Sequence, residues 1–474
     1  MIHFPFRLKR KKAETTLLID VGTETVKALL FKEQGQEIKI LGSSLEYFDR
    51  YGIFDSRDFE TDVLKKAISR AVQNLGGNDN KSIILGLPAH ILKARVIHQS
   101  LKREEPKKIM GDEPKGSSLS VARARVTKEH SFFSTPRFAR VIDEKEEKEI
   151  FQKVLEKAKR NICQIYSEQS GILPEDILFI DLKILEIKID GYLVPAIQKY
   201  EGKTLDFIIL ATFLPNHYLK KIKNIIESLG LTIKAVIQNA QGLNFYIDKT
   251  ADKIFLDIGG TITQIFLVKG GVLEKIDEFP MGGQIFSKAI SEKLGLREAE
   301  ARILKERYSK RELSKESSDR IKEIISFPSQ VWFRNLKLKL KEMTARRPLP
   351  LNIILFGGGS QLPDVQDILK NGEWESVPSG GKFEVQIFYP GEEIQEEIKT
   401  LNTRAKRSRA TGEDEPLSSS PTRAKRSRAT GEDEPLSSSP TRAKRRVEKN
   451  ECSLNSPQQI SLLLMFYAKI KKAY

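Results

Sequence analysis

A chain of 474 residues exceeds the roughly 100–200 residues of an ordinary domain, so two to four packed units are expected. With 39% hydrophobic and 30% charged residues it reads as mostly globular; no apolar run nears the roughly 20 residues needed to cross a bilayer, and no signal-peptide pattern opens it. Two distant cysteines, five scattered histidines and no P-loop sequence argue against a disulfide framework, a zinc site, a metalloenzyme or a P-loop nucleotidase and suggest a reducing compartment, while much of the net charge of +16 lies in two biased segments.

The first of these is the amino terminus, where Ile2, Phe4, Phe6 and Leu8 mingle with Arg7, Lys9, Arg10, Lys11 and Lys12. Residues 1–12 are a candidate contact with an anionic membrane surface, each basic residue contributing about 1 kcal/mol, or else a solvated arm. Next comes Leu17–Phe31, an apolar run ending in Asp20, a turn at Gly22, and a second apolar run, the pattern of a strand, tight turn and returning strand. Phe59–Leu75 has helical spacing; Ser82–Leu87 is strand-like and is followed by Ala89–Gln99. Gly111–Arg125 is a degenerate copy of a low-complexity repeat found further on. Lys145–Tyr166 predicts a long amphipathic helix, Asp206–Ala211 a strand, Tyr218–Leu229 a helix and Thr232–Ile237 a strand.

Ile254–Val268 then aligns without gaps on Leu17–Phe31, setting Asp257 against Asp20 and Gly259 against Gly22. Helices are predicted over Ile285–Leu294, Arg297–Glu306 and Ser318–Glu342, then a strand over Leu351–Phe356 that runs into Gly357-Gly358-Gly359, and a helix from Leu362. Thr403–Lys449 carries two copies of TRAKRSRATGEDEPLSSSP and the start of a third, with thirteen basic and seven acidic residues. Lacking apolar periodicity, it is expected to be disordered. Acidic triplets interrupt the basic ones, so nucleic acid is not the expected partner. A last helix is expected over Ile460–Ala468.

Two Asp-then-Gly hairpins suggest a duplicated α/β domain. A Gly turn lets backbone approach phosphate, and an Asp at a strand end can hold Mg²⁺ through water, so two facing copies could grip a triphosphate. The third glycine cluster, between a strand and a helix, is suited to the same ligand.

The order of motifs resembles the actin-like ATPase superfamily and, within it, the FtsA/PilM branch. Ile19–Thr23 looks like the first phosphate motif, Leu256–Thr261 the second and Ile354–Gly359 the adenosine motif. Phe279-Pro280-Met281-Gly282-Gly283 is similar to the segment entering the smaller subdomain, which on that resemblance brings Lys305 to the nucleoside. The resemblance implies ATP and Mg²⁺ as cofactors, contacted by Asp20, Gly22, Thr23, Glu24, Lys27, Asp257, Gly259, Gly260, Thr261, Gly282, Gly283, Lys305, Gly357, Gly358 and Gly359, with Asp20 and Asp257 on the metal. The family's DxGGGTTD is altered here: Thr261, Ile262 and Gln264 replace its third Gly, first Thr and final Asp, so binding is expected before efficient hydrolysis, and Gln264 is taken as a strand residue.

The fold class expected is α/β, with duplicated actin-like (ribonuclease-H-like) halves and a small inserted α+β domain. An arm over 1–14 precedes the first half at 15–81; the insertion takes 82–205, with a disordered stretch near 105–140; the first half resumes at 206–250. The second half takes 251–474, with a subdomain near 285–349 and the repeats near 400–450. FtsA likeness implies a tubulin-like division-ring partner and self-association into filaments, at the inner face of the cell membrane; PilM likeness implies the cytoplasmic tail of a pilus-assembly membrane protein. A sugar-kinase-like phosphotransferase is the competing enzyme class, for which the sequence offers no clear general base.

Overall fold

Two five-stranded sheets repeat one another strand for strand. The computed structural model describes residues 14–34, 37–49, 53–54, 59–76, 82–103, 141–247, 252–344, 348–374, 377–378, 381–388 and 460–473. The amino-terminal arm to residue 13, the degenerate repeat and the 403–449 repeats lie outside them.

The first sheet is built from β1 (Glu14–Val21), β2 (Thr25–Gln34), β3 (Glu37–Tyr47), β4 (Ser82–Gly86) and a later strand at Thr232–Val236, in the order third, second, first, fourth, last. β1–β2–β3 form an antiparallel meander, and β4 joins β1 in parallel. The burial explains the sequence: β1 and β4 are covered on both faces, so they read as unbroken apolar runs, as parallel strands do. Helix α1 (Thr61–Gln73) covers one face with Leu64, Ala67, Ile68 and Ala71, one stripe at 3.6-residue spacing.

Between β4 and the fifth strand the chain builds a separate four-stranded sheet from β5 (Lys93–Lys102), β6 (Ile177–Ile189), β7 (Tyr192–Leu193) and β8 (Thr204–Pro215), ordered β5-β8-β6-β7. Helix α2 (Glu144–Ser170) packs on it through Ile150, Val154, Ala158 and Ile162; Asp143 caps its start by accepting from the Glu146 amide, and left-handed Gly171 ends it. Two expected boundaries move. Ser82–Gly86 pairs with β1 in the first sheet, and Thr204–Pro215 lies wholly in the small one. Each run is apolar enough for either sheet, and only pairing decides.

The chain then returns through α3 (Asn216–Ser228), β9 (Thr232–Val236) and α4 (Asn239–Tyr246). The second sheet repeats the first: β10 (Lys253–Ile258), β11 (Thr263–Lys269), β12 (Val272–Phe279), β13 (Asn352–Phe356) and β14 (Glu384–Ile387), ordered β12-β11-β10-β13-β14. Helices α5 (Gln284–Leu294), α6 (Glu298–Ser309) and α7 (Lys315–Thr344) intervene, and α8 (Pro363–Asn371) follows β13. Trp332 of α7, fully buried, donates its indole N–H to Thr263 Oγ1 at 2.9 Å, fixing the subdomain to the second hairpin.

The last helix, α9 (Ile460–Ala473), runs between the two halves. Leu463, Met465 and Phe466 join the core of the first sheet with Leu18, Leu29 and Phe31, while Leu464 joins Phe255, Phe266 and Phe356 of the second. Residues 463–466 are therefore buried core. No helix among the described residues is long and apolar enough to cross a membrane.

Candidate functional site

The two hairpin turns meet at the mouth of one cleft. Each turn closes on itself in the same way, Gly22 N–H donating to Thr25 O at 2.8 Å and Gly259 N–H to Ile262 O at 3.0 Å. The turns also touch: Thr261 N–H donates to Thr23 Oγ1 at 3.2 Å, and a Cβ on Gly260 would come within 2.6 Å of Glu24 Cγ. The third glycine cluster closes the floor. Gly357 holds φ +83°, open to glycine at little cost, and a Cβ there would strike the Asp257 carboxylate and Ile258 O.

Asp20, Gly22, Thr23, Glu24 and Lys27 line the cleft from the first half; Asp257, Gly259, Gly260, Gly283, Lys305 and Gly357–Gly359 line it from the second. Thr261 and Gly282 stand behind the wall. Thr261 contributes its amide to the turn contact, and Gly282 lies so close to the carbonyls of Gly259 and Gly260 that only glycine fits. The amides of Gly283 and Gln284 donate to those carbonyls at 2.8 Å each, which docks the start of α5 on the second turn.

The two carboxylates sit in unlike surroundings. Lys27 Nζ lies 2.8 Å from Asp20 Oδ2, both side chains nearly enclosed, and Ser461 of α9 bonds to both. Asp257 has no cation opposite it in the hairpin, and Asn239 donates to its Oδ2 at 3.2 Å. Burial pushes the Asp257 carboxyl up to about 6; Lys27 pulls the other way, Asp20 adds to the rise and the Asn239 bond opposes it. Lys305 Nζ donates to Gly283 O at 2.9 Å, so its charge is held at the wall of the cleft.

Sequence reading missed several lining residues. Ser461 lies 441 positions from Asp20, and Asn239 opens a short helix with no motif of its own. Tyr47, Glu306, Ser309 and Gln361 also line the cleft, and so does Gln264, whose position opposite Asp257 was visible in the aligned hairpins. The Arg302 guanidinium lies over the Tyr47 ring, its Cζ 4.3 Å from the ring centroid, a cation–π contact that ties β3 to α6 across the two halves.

The donor set fits a nucleoside triphosphate with Mg²⁺. Two carboxylates suit an ion that keeps several waters and takes its remaining ligands from phosphate. Among the described residues no group of three or more His, Cys, Asp or Glu is placed to hold a metal unaided. Glu24 Oε1 is buried in the wall without a hydrogen-bond partner, as a group awaiting a ligand or its water would be.

The family model for the cell division protein FtsA matches residues 254–406, the second half from β10 onward. Among solved structures, a chain of the PilM–PilN type IV pilus biogenesis complex superposes with a TM-score of 0.53 at 14% identity, covering 83% of this chain and 94% of that one. In sequence the second half thus resembles FtsA, and at 14% identity the likeness to the PilM–PilN complex chain is one of fold. More remote is the ethanolamine utilization protein EutJ from Carboxydothermus hydrogenoformans, TM-score 0.37, 10% identity, covering 79% of this chain and 85% of that one. No curated protein matches in sequence. The shared fold accounts for the strand-for-strand repeat of the sheets and for the cleft between them.

Proposed function

We propose that the chain binds ATP with Mg²⁺ in this cleft and uses it as a scaffold does, to bias its shape and thereby its affinity for a partner, hydrolysing slowly at most. The observation that carries this is the meeting of two duplicated Asp–Gly hairpins and a third glycine turn around one cleft. Asp20 and Asp257 would orient the metal, Lys27 and Lys305 would offset phosphate charge, and the glycines let the backbone close on the ligand. Mg²⁺ would supply charge neutralisation between phosphates and the two carboxylates.

The partner proposed first is a tubulin-like division-ring protein, with self-association into filaments, because the matching family model is that of FtsA. The fold shared with nearly all of the PilM chain supports a second reading, in which the partner is the cytoplasmic tail of a pilus-assembly membrane protein. Residues 1–12 are the proposed contact with a membrane surface.

Titration of the full chain with a fluorescent ATP analogue, with and without Mg²⁺, tests the cleft. Magnesium-dependent binding lost in Asp257→Ala is expected; equal binding in chelator, or none, removes the reading. Immobilised peptides from the division-ring protein and from the pilus tail then separate the partners, and retention only by the pilus peptide overturns the first choice.

A further inference from the structure

Glu278, on β12, takes no part in lining the cleft, yet the cleft is tied to it. Asp257 faces Gln264 across β10 and β11, and Gln264 faces Glu278 across β11 and β12, so the three side chains form one cross-strand row. Gln264, 3% exposed, donates its amide toward Glu278 Oε2 at 3.5 Å. From there the row leaves the second half altogether. Lys93 Nζ binds Glu278 Oε1 at 2.5 Å, Arg95 approaches the same oxygen at 3.5 Å, and both cations belong to β5, the first strand of the inserted sheet.

A second polar path runs beside it. Asn239 donates to Asp257, Gln238 donates toward Gln264 at 3.5 Å, and Gln241, 1% exposed, donates to Asp181 on β6 of the same inserted sheet. Both paths start at the carboxylate assigned to the metal and end in the inserted domain. The duplication supplies the control: in the first half the equivalent row is Asp20, Lys27 and Leu45, with no acid in third place. The polar row is therefore not a requirement of the hairpin architecture.

Burial works against the charge of Glu278, but Arg95 and Lys93 hold its carboxyl below the usual range. A buried charge paired in this way is costly to leave unpaired, so it has few arrangements to choose from and follows its partners when they move.

We propose that Glu278 is the coupling residue through which the inserted domain senses whether nucleotide occupies the cleft, with Lys93 and Arg95 as its receivers. This rests on the cleft being a nucleotide site. When Asp257 and Gln264 shift to meet a ligand, Glu278 shifts with Gln264 and carries β5; a partner bound to the inserted domain acts on nucleotide affinity by the same route, since coupling is reciprocal.

Hydrogen–deuterium exchange of the full chain with and without ATP and Mg²⁺ tests this. Exchange in β5 is expected to change by about threefold or more on binding in the wild type. In Glu278→Gln that change is lost while affinity for the nucleotide stays within about threefold. Lys148→Ala, on the exposed side of α2, keeps it. If Glu278→Gln does not melt cooperatively, Arg95→Met, which retains the Lys93 pair, takes its place and should show a reduced response. A wild type that binds ATP without a change in β5, or a full response in these variants, overturns the coupling and leaves the nucleotide site standing. A wild type that binds no nucleotide overturns both.

Discussion

Lys27 lies directly across the hairpin from Asp20, with its Nζ 2.8 Å from Oδ2, whereas at the duplicated position Asp257 faces the uncharged Gln264. One backbone pattern thus carries two electrostatic states: an acid neutralised by its neighbour and an acid left to burial. Removing one member of a buried pair leaves the other uncompensated, typically at about 3–5 kcal/mol. Lys27→Met should therefore destabilise the protein by about that amount in urea unfolding, and Asp20→Asn added to it should restore most of the loss. A Lys27→Met variant as stable as wild type would mean that the pair is solvated.

The raised Asp257 carboxyl predicts a pH dependence of definite sign. Its folded value of about 6 lies above its ordinary value of 3.8, so the native state binds the extra proton between the two. This group's share of stability is then present in acid and is lost as pH rises from about 4 to 6, with a ceiling of roughly 3 kcal/mol. Asp257→Asn should flatten that limb and make the protein more stable than wild type at pH 7, as measured by denaturation across pH. In the nucleotide reading a cation favours the charged form, so Mg²⁺-dependent affinity should fall as pH drops through 6. A wild-type profile in which stability rises over pH 4 to 6 as much as in the Asn variant would show that Asp257 is not perturbed.

The parts of this architecture that could be read in advance are those with a local signature. The gap-free match of 17–31 with 254–268 announced the duplicated sheets because a hairpin is specified by its own apolar alternation and its own glycine turn. α9 was legible as a helix, but its contact with Asp20 was not: no local pattern connects Ser461 to a residue 441 positions away. Likewise Glu278 reads as an ordinary strand acid until register places it beside Gln264 and domain packing brings Lys93 to it. The limits of the inserted domain went astray for the same reason, since Ile83–Leu85 and Phe207–Leu214 are apolar runs of the same kind paired into different sheets.

Gly357 tests the floor of the cleft. It holds φ +83°, and a methyl group would meet the Asp257 carboxylate and come within 2.6 Å of Ile258 O. Gly357→Ala combines a strained backbone with a clash against backbone atoms, for which about 2 kcal/mol or more is expected. The measurement is paired: melting temperature for stability and analogue titration for binding, both of which should drop. An alanine that leaves both unchanged would show that the turn opens freely in solution and does not hold Asp257 in place.

The last helix tests whether the halves share a core. Phe466 is fully buried, edge-on to Phe31 at a centroid distance of 4.8 Å, and neighbouring Leu464 presses on α4, where Gly242 leaves no room for a side chain against the Leu464 backbone. A membrane-anchoring segment would tolerate replacement of its apolar residues without loss of fold. A core helix would not: Phe466→Ala should cost about 3–5 kcal/mol from lost burial and the cavity left behind. Because α9 reaches both sheets, the loss should appear as one cooperative transition at lower denaturant, with the Trp332 environment in the second half and the first sheet unfolding together. Two separated transitions, with the Trp332 signal unmoved, would show instead that each half stands alone and that α9 belongs to the first.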